Sequence, residues 1–173
     1  MTDTVFLVDS NALIVPYQQY YSFDFGKLFW DQLQEQIEEG NIAILDMVKE
    51  ELLKGREDDR LRKWIEEIEI GCFIDHRETE IVAEYGRVLR YVQECGLYKD
   101  TALAAWSQLS IADPWLIAVS KVKGYKLVTF ETTFEKLDVR NKTKRVRIPD
   151  VAKHFNVDVV KLFDMMRELD FRL

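Results

Sequence analysis

Residues 5–11 read Val5-Phe6-Leu7-Val8-Asp9-Ser10-Asn11: four consecutive apolar side chains, stopped by a carboxylate and two small polar residues. An apolar run that does not alternate with polar residues predicts a strand buried on both faces. Such strands belong to parallel sheets covered by helices. In an open parallel sheet, ligands bind beyond the carboxyl ends of the strands. Asp9 falls at that end, where burying a carboxylate is costly unless it is paired or metal-bound.

The rest of the chain repeats the pattern. Ile42 to Leu45, Cys72 to Ile74 and Lys126 to Thr129 predict further strands, and Val146 to Ile148 a weak fifth. Helical spacing lies between them. Asp24 is the expected N-cap of a helix carrying Phe25, Leu28, Phe29, Leu33 and Ile37, stopped by Gly40. Asp46 opens a short helix that ends near Gly55, and Asp58 or Asp59 opens one with Leu61, Trp64, Ile65 and Ile68. Ile81 to Val92 is amphipathic, Ala102 to Leu109 is helical, Asp113-Pro114 starts a helix that runs to Gly124, and Leu162 to Leu169 forms the last. Strands alternating with helices predict an α/β fold, in one domain spanning residues 1–173.

Composition narrows the function. Ten of the 173 residues are Gly or Pro, which disfavours a turn-rich all-β fold. The longest uninterrupted apolar runs have five residues, so no membrane span is expected, and the N-terminus lacks the pattern of a secretion signal. Cys72 and Cys95 form neither a metal nor a redox motif, which suits a reducing, cytoplasmic setting. His76 and His154 have no zinc-site spacing and read as surface or packing residues.

The net charge is −7, yet residues 121–147 carry nine basic against three acidic side chains. A local basic stretch can contact phosphates within an acidic protein, and a solvated loop is the plainer expectation. Tyr17, Tyr20 and Tyr21 read first as an aromatic loop packed on the domain, and otherwise as a platform for unpaired bases.

Four acids are placed to meet at the carboxyl edge. Asp9 ends the first strand, Asp113 stands at a helix start, and Glu131 lies two residues beyond Thr129 at the end of the fourth strand. At about 100° per residue, Met47, Val48 and Leu52 define an apolar helix face that includes Glu51 and leaves Glu50 outside. Carboxylates gathered in one pocket raise one another's pKa values, and a divalent cation removes the conflict. Oxygen ligands select a hard ion, Mg²⁺ or Mn²⁺.

These residues, in order, resemble the PIN-domain ribonuclease superfamily of the toxin type. The similarity is carried by VFLVDSNALI, a Glu-Leu helix, IADPWLIAVS and LVTFETTF, and spans Val5 to Ile148. FDFGKLFWDQLQEQIEEG, ADPWLIA, RVRIPDVAKHFNV and LFDMMREL look like a PIN-like branch of bacterial and archaeal proteins. The resemblance implies a three-layer α/β/α fold around a central parallel sheet of four to five strands. It implies hydrolysis of RNA phosphodiesters with one or two Mg²⁺ or Mn²⁺ ions, leaving 5′-phosphate and 3′-hydroxyl ends. It further implies the toxin of a toxin–antitoxin pair, with an antitoxin protein as partner.

Carried over, Asp9, Glu51 and Asp113 match the family's acids, and Glu131 stands where Asp is usual. Asp9 and Asp113 are expected as principal metal ligands, Glu51 as a ligand directly or through water, and Glu131 as a peripheral ligand. Asn11 and Thr129 match polar positions that support the acids. Arg140, Lys142, Lys144, Arg145 and Arg147 are candidate RNA contacts. Ala102, Leu103, Trp106 and Leu109, and the terminal helix with Leu162, Phe163, Met166 and Leu169, read as core or, if exposed, as surfaces for a homodimer or an antitoxin helix. The alternative is a PIN-like module that binds nucleic acid or protein without catalysis. Loss of the usual Asp at position 131 supports it, and retention of four carboxylates argues against it.

Overall fold

The computed structural model describes residues 4–173. Five strands, β1 (Phe6–Val8), β2 (Ile42–Leu45), β3 (Phe73–Ile74), β4 (Lys126–Val128) and β5 (Val159–Val160), form one parallel sheet in the order β3-β2-β1-β4-β5. Phe6, Leu7, Val8, Ile44, Leu45, Leu127 and Val128 have no exposed surface, as the two-sided burial of a parallel sheet requires.

Nine helices surround it among the described residues: α1 (Asn11–Val15), α2 (Lys27–Glu38), α3 (Asp46–Leu53), α4 (Arg60–Glu67), α5 (Thr79–Glu94), α6 (Asp100–Trp106), α7 (Asp113–Lys123), α8 (Ile148–His154) and α9 (Leu162–Glu168). The chain leaves β1 toward β2 and β3 on one side, then crosses to β4 and β5 on the other. Right-handed crossovers running in opposite directions put helices on opposite faces, giving an α/β/α layering. The chain end rejoins the α2 side, where Phe171 lies 6.1 Å from Phe29 between ring centres.

Aromatic packing anchors α2 and α4. Trp30 lies 4.5 Å from Phe23, 5.0 Å from Phe29 and 4.9 Å from Trp64. Trp30 Nε1 donates to the Tyr21 carbonyl at 2.6 Å, satisfying its polar atom. This arrangement also sets the start of α2. A Cβ on Gly26 would meet the Tyr21 backbone at 2.6 Å, so only glycine fits there. The helix therefore begins at Lys27 rather than after Asp24, and Phe25, expected on its apolar face, is 93% exposed.

Two further expectations change. The aromatic segment after Asn11 is helical: α1 continues into a π-helical turn over Pro16–Tyr20. Tyr17 packs on Phe23 and Tyr21 on Phe29, so the packing reading holds for those two, while Tyr20 is half exposed. Val146 to Ile148 is not a strand. Its apolar residues are buried as the chain enters α8, with Pro149 in the first turn, and the fifth strand is Val159–Val160. Among the described residues no helix is long and apolar enough to cross a membrane.

Candidate active site

Sheet register decides which side chains share the carboxyl edge. Val8 is level with both Ile44 and Val128, so Asp9 and Thr129 emerge side by side at the point where strand order reverses. Ligands settle at this switch point in open α/β sheets. Leu45 is level with Ile74, which brings Asp46 and Asp75 out at one height farther along the edge.

Asp9 is 4% exposed. Its amide donates to the Val128 carbonyl at 3.0 Å, so its position is fixed by the sheet itself. Thr129 Oγ1 donates to Asp9 Oδ2 at 2.9 Å, and Ser10 Oγ lies 3.4 Å from Oδ1. Burial pushes the Asp9 carboxyl up to about 7, helped by the negative charges of Asp113 and Glu131 and opposed by the Thr129 and Ser10 hydrogen bonds. Asn11 is fixed beside it, its Oδ1 accepting from the Phe130 amide at 2.9 Å.

Asp113 opens α7, and Trp106 Nε1 donates to its Oδ2 at 3.2 Å. Burial pushes its carboxyl up to about 6, with Glu131 and Glu51 adding to the rise and Trp106 and Arg145 opposing it. Two carboxylates thus sit where the neutral form is favoured, each facing further negative charge. A positive charge beside them would relieve that repulsion.

Asp9, Asn11, Glu50, Glu51, Asp113 and Glu131 all line one cavity of ≈ 830 Å³, which His76, Lys54 and Arg145 also reach. Glu51 is exposed rather than embedded in an apolar face, and Glu50, set aside from the helical periodicity, lines the same cavity. Helical periodicity misleads here because α3 runs along the cavity rim, so its solvent side faces the pocket.

Glu131 is held differently. Oε1 accepts from Arg145 Nη2 at 2.8 Å, Oε2 from the Ile148 amide at 2.8 Å, and its carbonyl from Lys161 Nζ at 2.7 Å. Its amide donates to Thr129 Oγ1 at 3.1 Å. Each Glu131 oxygen accepts one of these bonds, which fixes the direction of the lone pair it has left for any cation. As it stands, Glu131 pins the segment from Arg145 to Ile148 against the cavity.

The basic candidates separate accordingly. Arg145 lines the acid cavity, and Lys144 lines an adjoining groove that shares Asp113 with it. Arg147 donates to the Thr132 carbonyl at 3.0 Å and covers the Phe134 ring at 3.8 Å. Arg140 and Lys142 are exposed and do not line the cavity. Of the candidate partner surfaces, Ala102, Trp106, Leu162 and Met166 are core, while Leu109 and Phe163 are exposed.

Asp46, Asp75 and His76 are absent from the residues expected at a site, yet they bring one ligand-type atom each to within 4.8 Å of one another. Their groups are already engaged: His76 Nδ1 is 2.7 Å from Asp46 Oδ2, and Asp75 holds Arg77 through both oxygens. The rule that singled out Asp9, a carboxylate directly after a strand, applies equally to Asp46 and Asp75.

The acid cavity offers the oxygen donors that a hard divalent cation takes, but among the described residues it is Asp46, Asp75 and His76, not these acids, that bring three ligand-type atoms within 4.8 Å of one another. Asp9, Asp113 and Glu51 offer only oxygen; the raised proton affinity of the two aspartates comes first from burial and then from neighbouring negative charge, and the second part is what such an ion would neutralise. The family model described as a domain of unknown function (DUF4411) matches residues 6–173. No curated protein matches the sequence.

Proposed function

We propose that this chain, which belongs to the DUF4411 family, is a PIN-like endoribonuclease that depends on Mg²⁺ or Mn²⁺ and acts as the toxin of a toxin–antitoxin pair. The observation that carries the nuclease is that Asp9 and Asp113, two carboxyls pushed up by burial and by neighbouring acids, line one cavity at the switch point of a parallel sheet. The toxin assignment rests on the family resemblance of the sequence.

Asp9, Asp113 and Glu51 would hold the cation. Bound there, it supplies Lewis-acid polarisation of a phosphate and a lowered pKa for water. The protein's own groups position and bind. Thr129 fixes the rotamer of Asp9 through Oδ2, and Trp106 fixes Asp113. Arg145, steadied by Glu131, offers its remaining guanidinium N–H groups to a phosphate oxygen. Lys144 continues the cationic track along the RNA backbone. Attack by water on phosphorus, with departure of the 3′-oxygen, leaves 5′-phosphate and 3′-hydroxyl ends.

A catalytically silent binding module is the second reading, favoured by the commitment of both Glu131 oxygens to protein donors. Incubation with unstructured and structured RNAs separates the two. The nuclease yields 5′-phosphorylated fragments with Mn²⁺, and none with EDTA or from Asp9→Asn. Intact RNA of every kind, retained by the protein in a binding assay, selects the silent module.

A further inference from the structure

Asp46 and His76 stand at the same carboxyl edge as Asp9, beyond β2 and β3. Asp46 Oδ1 accepts the Met47 amide at 2.8 Å, which fixes the carboxylate at the start of α3. Its Oδ2 lies 2.7 Å from His76 Nδ1 and 3.4 Å from the His76 amide. The imidazole meets the Trp115 ring edge-on at 4.9 Å, and Trp115 is stacked on Tyr85 at 3.7 Å. The ring is thus held by a carboxylate and by an aromatic stack rooted in α7, the helix that Asp113 opens.

His76 also lines the acid cavity. With Nδ1–H facing the Asp46 carboxylate, the ring carries a proton on Nε2 as well only when it is an imidazolium. Nε2 is then the ring's free polar atom, with no hydrogen-bond partner among the described residues. The charged groups around the ring are Asp46 on α3, Asp75 and Arg77 on its own segment, and Glu50 and Lys54 on the cavity wall; α7 presents the uncharged Trp115.

Resting on the nuclease reading, we infer that His76, oriented by Asp46, is the catalytic proton donor to the leaving 3′-oxygen of the RNA. Hydrolysis of a phosphodiester produces a strongly basic alkoxide unless a proton arrives as the bond breaks. Cation-bound carboxylates have none to give. Lysine and arginine side chains hold theirs too tightly near neutral pH. Outside the carboxylates that would hold the cation, an imidazole is the side-chain type in the cavity that ordinarily serves as a proton donor near neutral pH, and the Asp46 carboxylate aims this one. The step balances: the water oxygen bonds to phosphorus, and the P–O3′ bond breaks with its electron pair going to O3′. The imidazolium form of His76 gives its Nε2 proton to O3′ and keeps Nδ1–H on Asp46, the proton lost by water leaves to solvent, and solvent returns a proton to Nε2.

Two substrates test this in Mn²⁺: an RNA oligonucleotide, and the p-nitrophenyl ester of thymidine 5′-phosphate, whose nitrophenolate departs without a proton. For His76→Asn, kcat on RNA falls about a hundredfold with KM unchanged, while the ester is cleaved within about twofold of the wild-type rate. His76→Gln repeats the result if the Asn variant folds poorly, and Asp46→Asn gives a smaller loss confined to RNA. RNA affinity measured in Ca²⁺ is unchanged in all three. Equal losses on both substrates, a change in KM alone, or no change overturns the proton-donor role, while cleavage by wild type and its abolition in Asp9→Asn keep the nuclease reading intact. A wild type inert toward both substrates removes the nuclease and this inference with it.

Discussion

Thr129 Oγ1 donates to Asp9 Oδ2 at 2.9 Å across the β1–β4 junction, and both side chains are buried. The hydroxyl also accepts the Glu131 amide at 3.1 Å, so one side chain ties an acid to the loop behind it. Thr129→Val keeps the shape and removes both functions. A buried carboxylate that loses a hydrogen bond costs about 1–3 kcal/mol, so the variant unfolds at lower denaturant concentration at pH 8. It also binds Mn²⁺ more weakly, because the Thr129 bond favours the charged form of Asp9. Urea titrations and Mn²⁺ titrations of the two proteins check both effects.

The raised carboxyls make the cation-free protein sensitive to pH in a defined direction. Asp9 at about 7 and Asp113 at about 6 bind protons more tightly when folded than when unfolded, where 3.8 is the ordinary value. Their stabilising contribution is complete below pH 3.8 and is lost as pH rises through 6 and 7. In EDTA, the melting temperature therefore drops between pH 5 and pH 8 on account of these two groups. Mn²⁺ restores it, and does so more strongly at pH 8, where no protons compete. Melting curves of wild type and Asp9→Asn at several pH values read this out, and the variant has the shallower slope.

Glu131 is expected to act through Arg145 and Ile148. Glu131→Gln retains an acceptor for one of them and leaves Mn²⁺ affinity within about threefold of wild type, whereas Asp9→Asn weakens it by tenfold or more, about 1.4 kcal/mol. Glu131→Ala frees the segment ahead of α8 and makes it a site of early proteolysis. Calorimetry and limited proteolysis distinguish this from direct ligation, in which the Gln variant would lose affinity as Asp9→Asn does.

Of the basic segment from Lys121 to Arg147, Arg145 lines the acid cavity, which Lys54 also lines, and Lys144 lines its adjoining groove. Substituting Arg145 or Lys144 with Ala weakens RNA binding in Ca²⁺ and lowers the salt dependence of log Kd by about one unit of slope for each phosphate no longer neutralised. Arg140→Ala, on the exposed loop away from the cavity, leaves the slope unchanged. Binding measured between low and moderate salt provides the comparison.

Strands with apolar runs were readable because a parallel sheet buries both faces. Val5 to Val8, Ile42 to Leu45 and Lys126 to Thr129 carry that pattern, and Asp9 and Thr129 follow from their ends. Val159–Val160 is too short to signal itself, while Val146 and Ile148 mimic a strand because they are buried. The start of α2 depended on Tyr21 closing over Gly26, a contact no periodicity encodes. Pairs distant in sequence were equally hidden: Glu131 and Arg145 are 14 positions apart, and Asp46 and His76 are 30 apart. Such partners become visible only once the sheet sets their strands side by side.

Cation capture by the acid cavity is the claim on which the rest depends. Calorimetric titration of Mn²⁺ at pH 6.5, repeated in buffers of different ionisation enthalpy, measures both affinity and protons released. Asp9 and Asp113 carry protons in part at this pH, so binding must expel them. Saturable binding with net proton release, weakened tenfold or more in both Asp9→Asn and Asp113→Asn, is the predicted result, about 1.4 kcal/mol per tenfold. No saturable binding, or binding of equal strength in wild type and both variants, would contradict it.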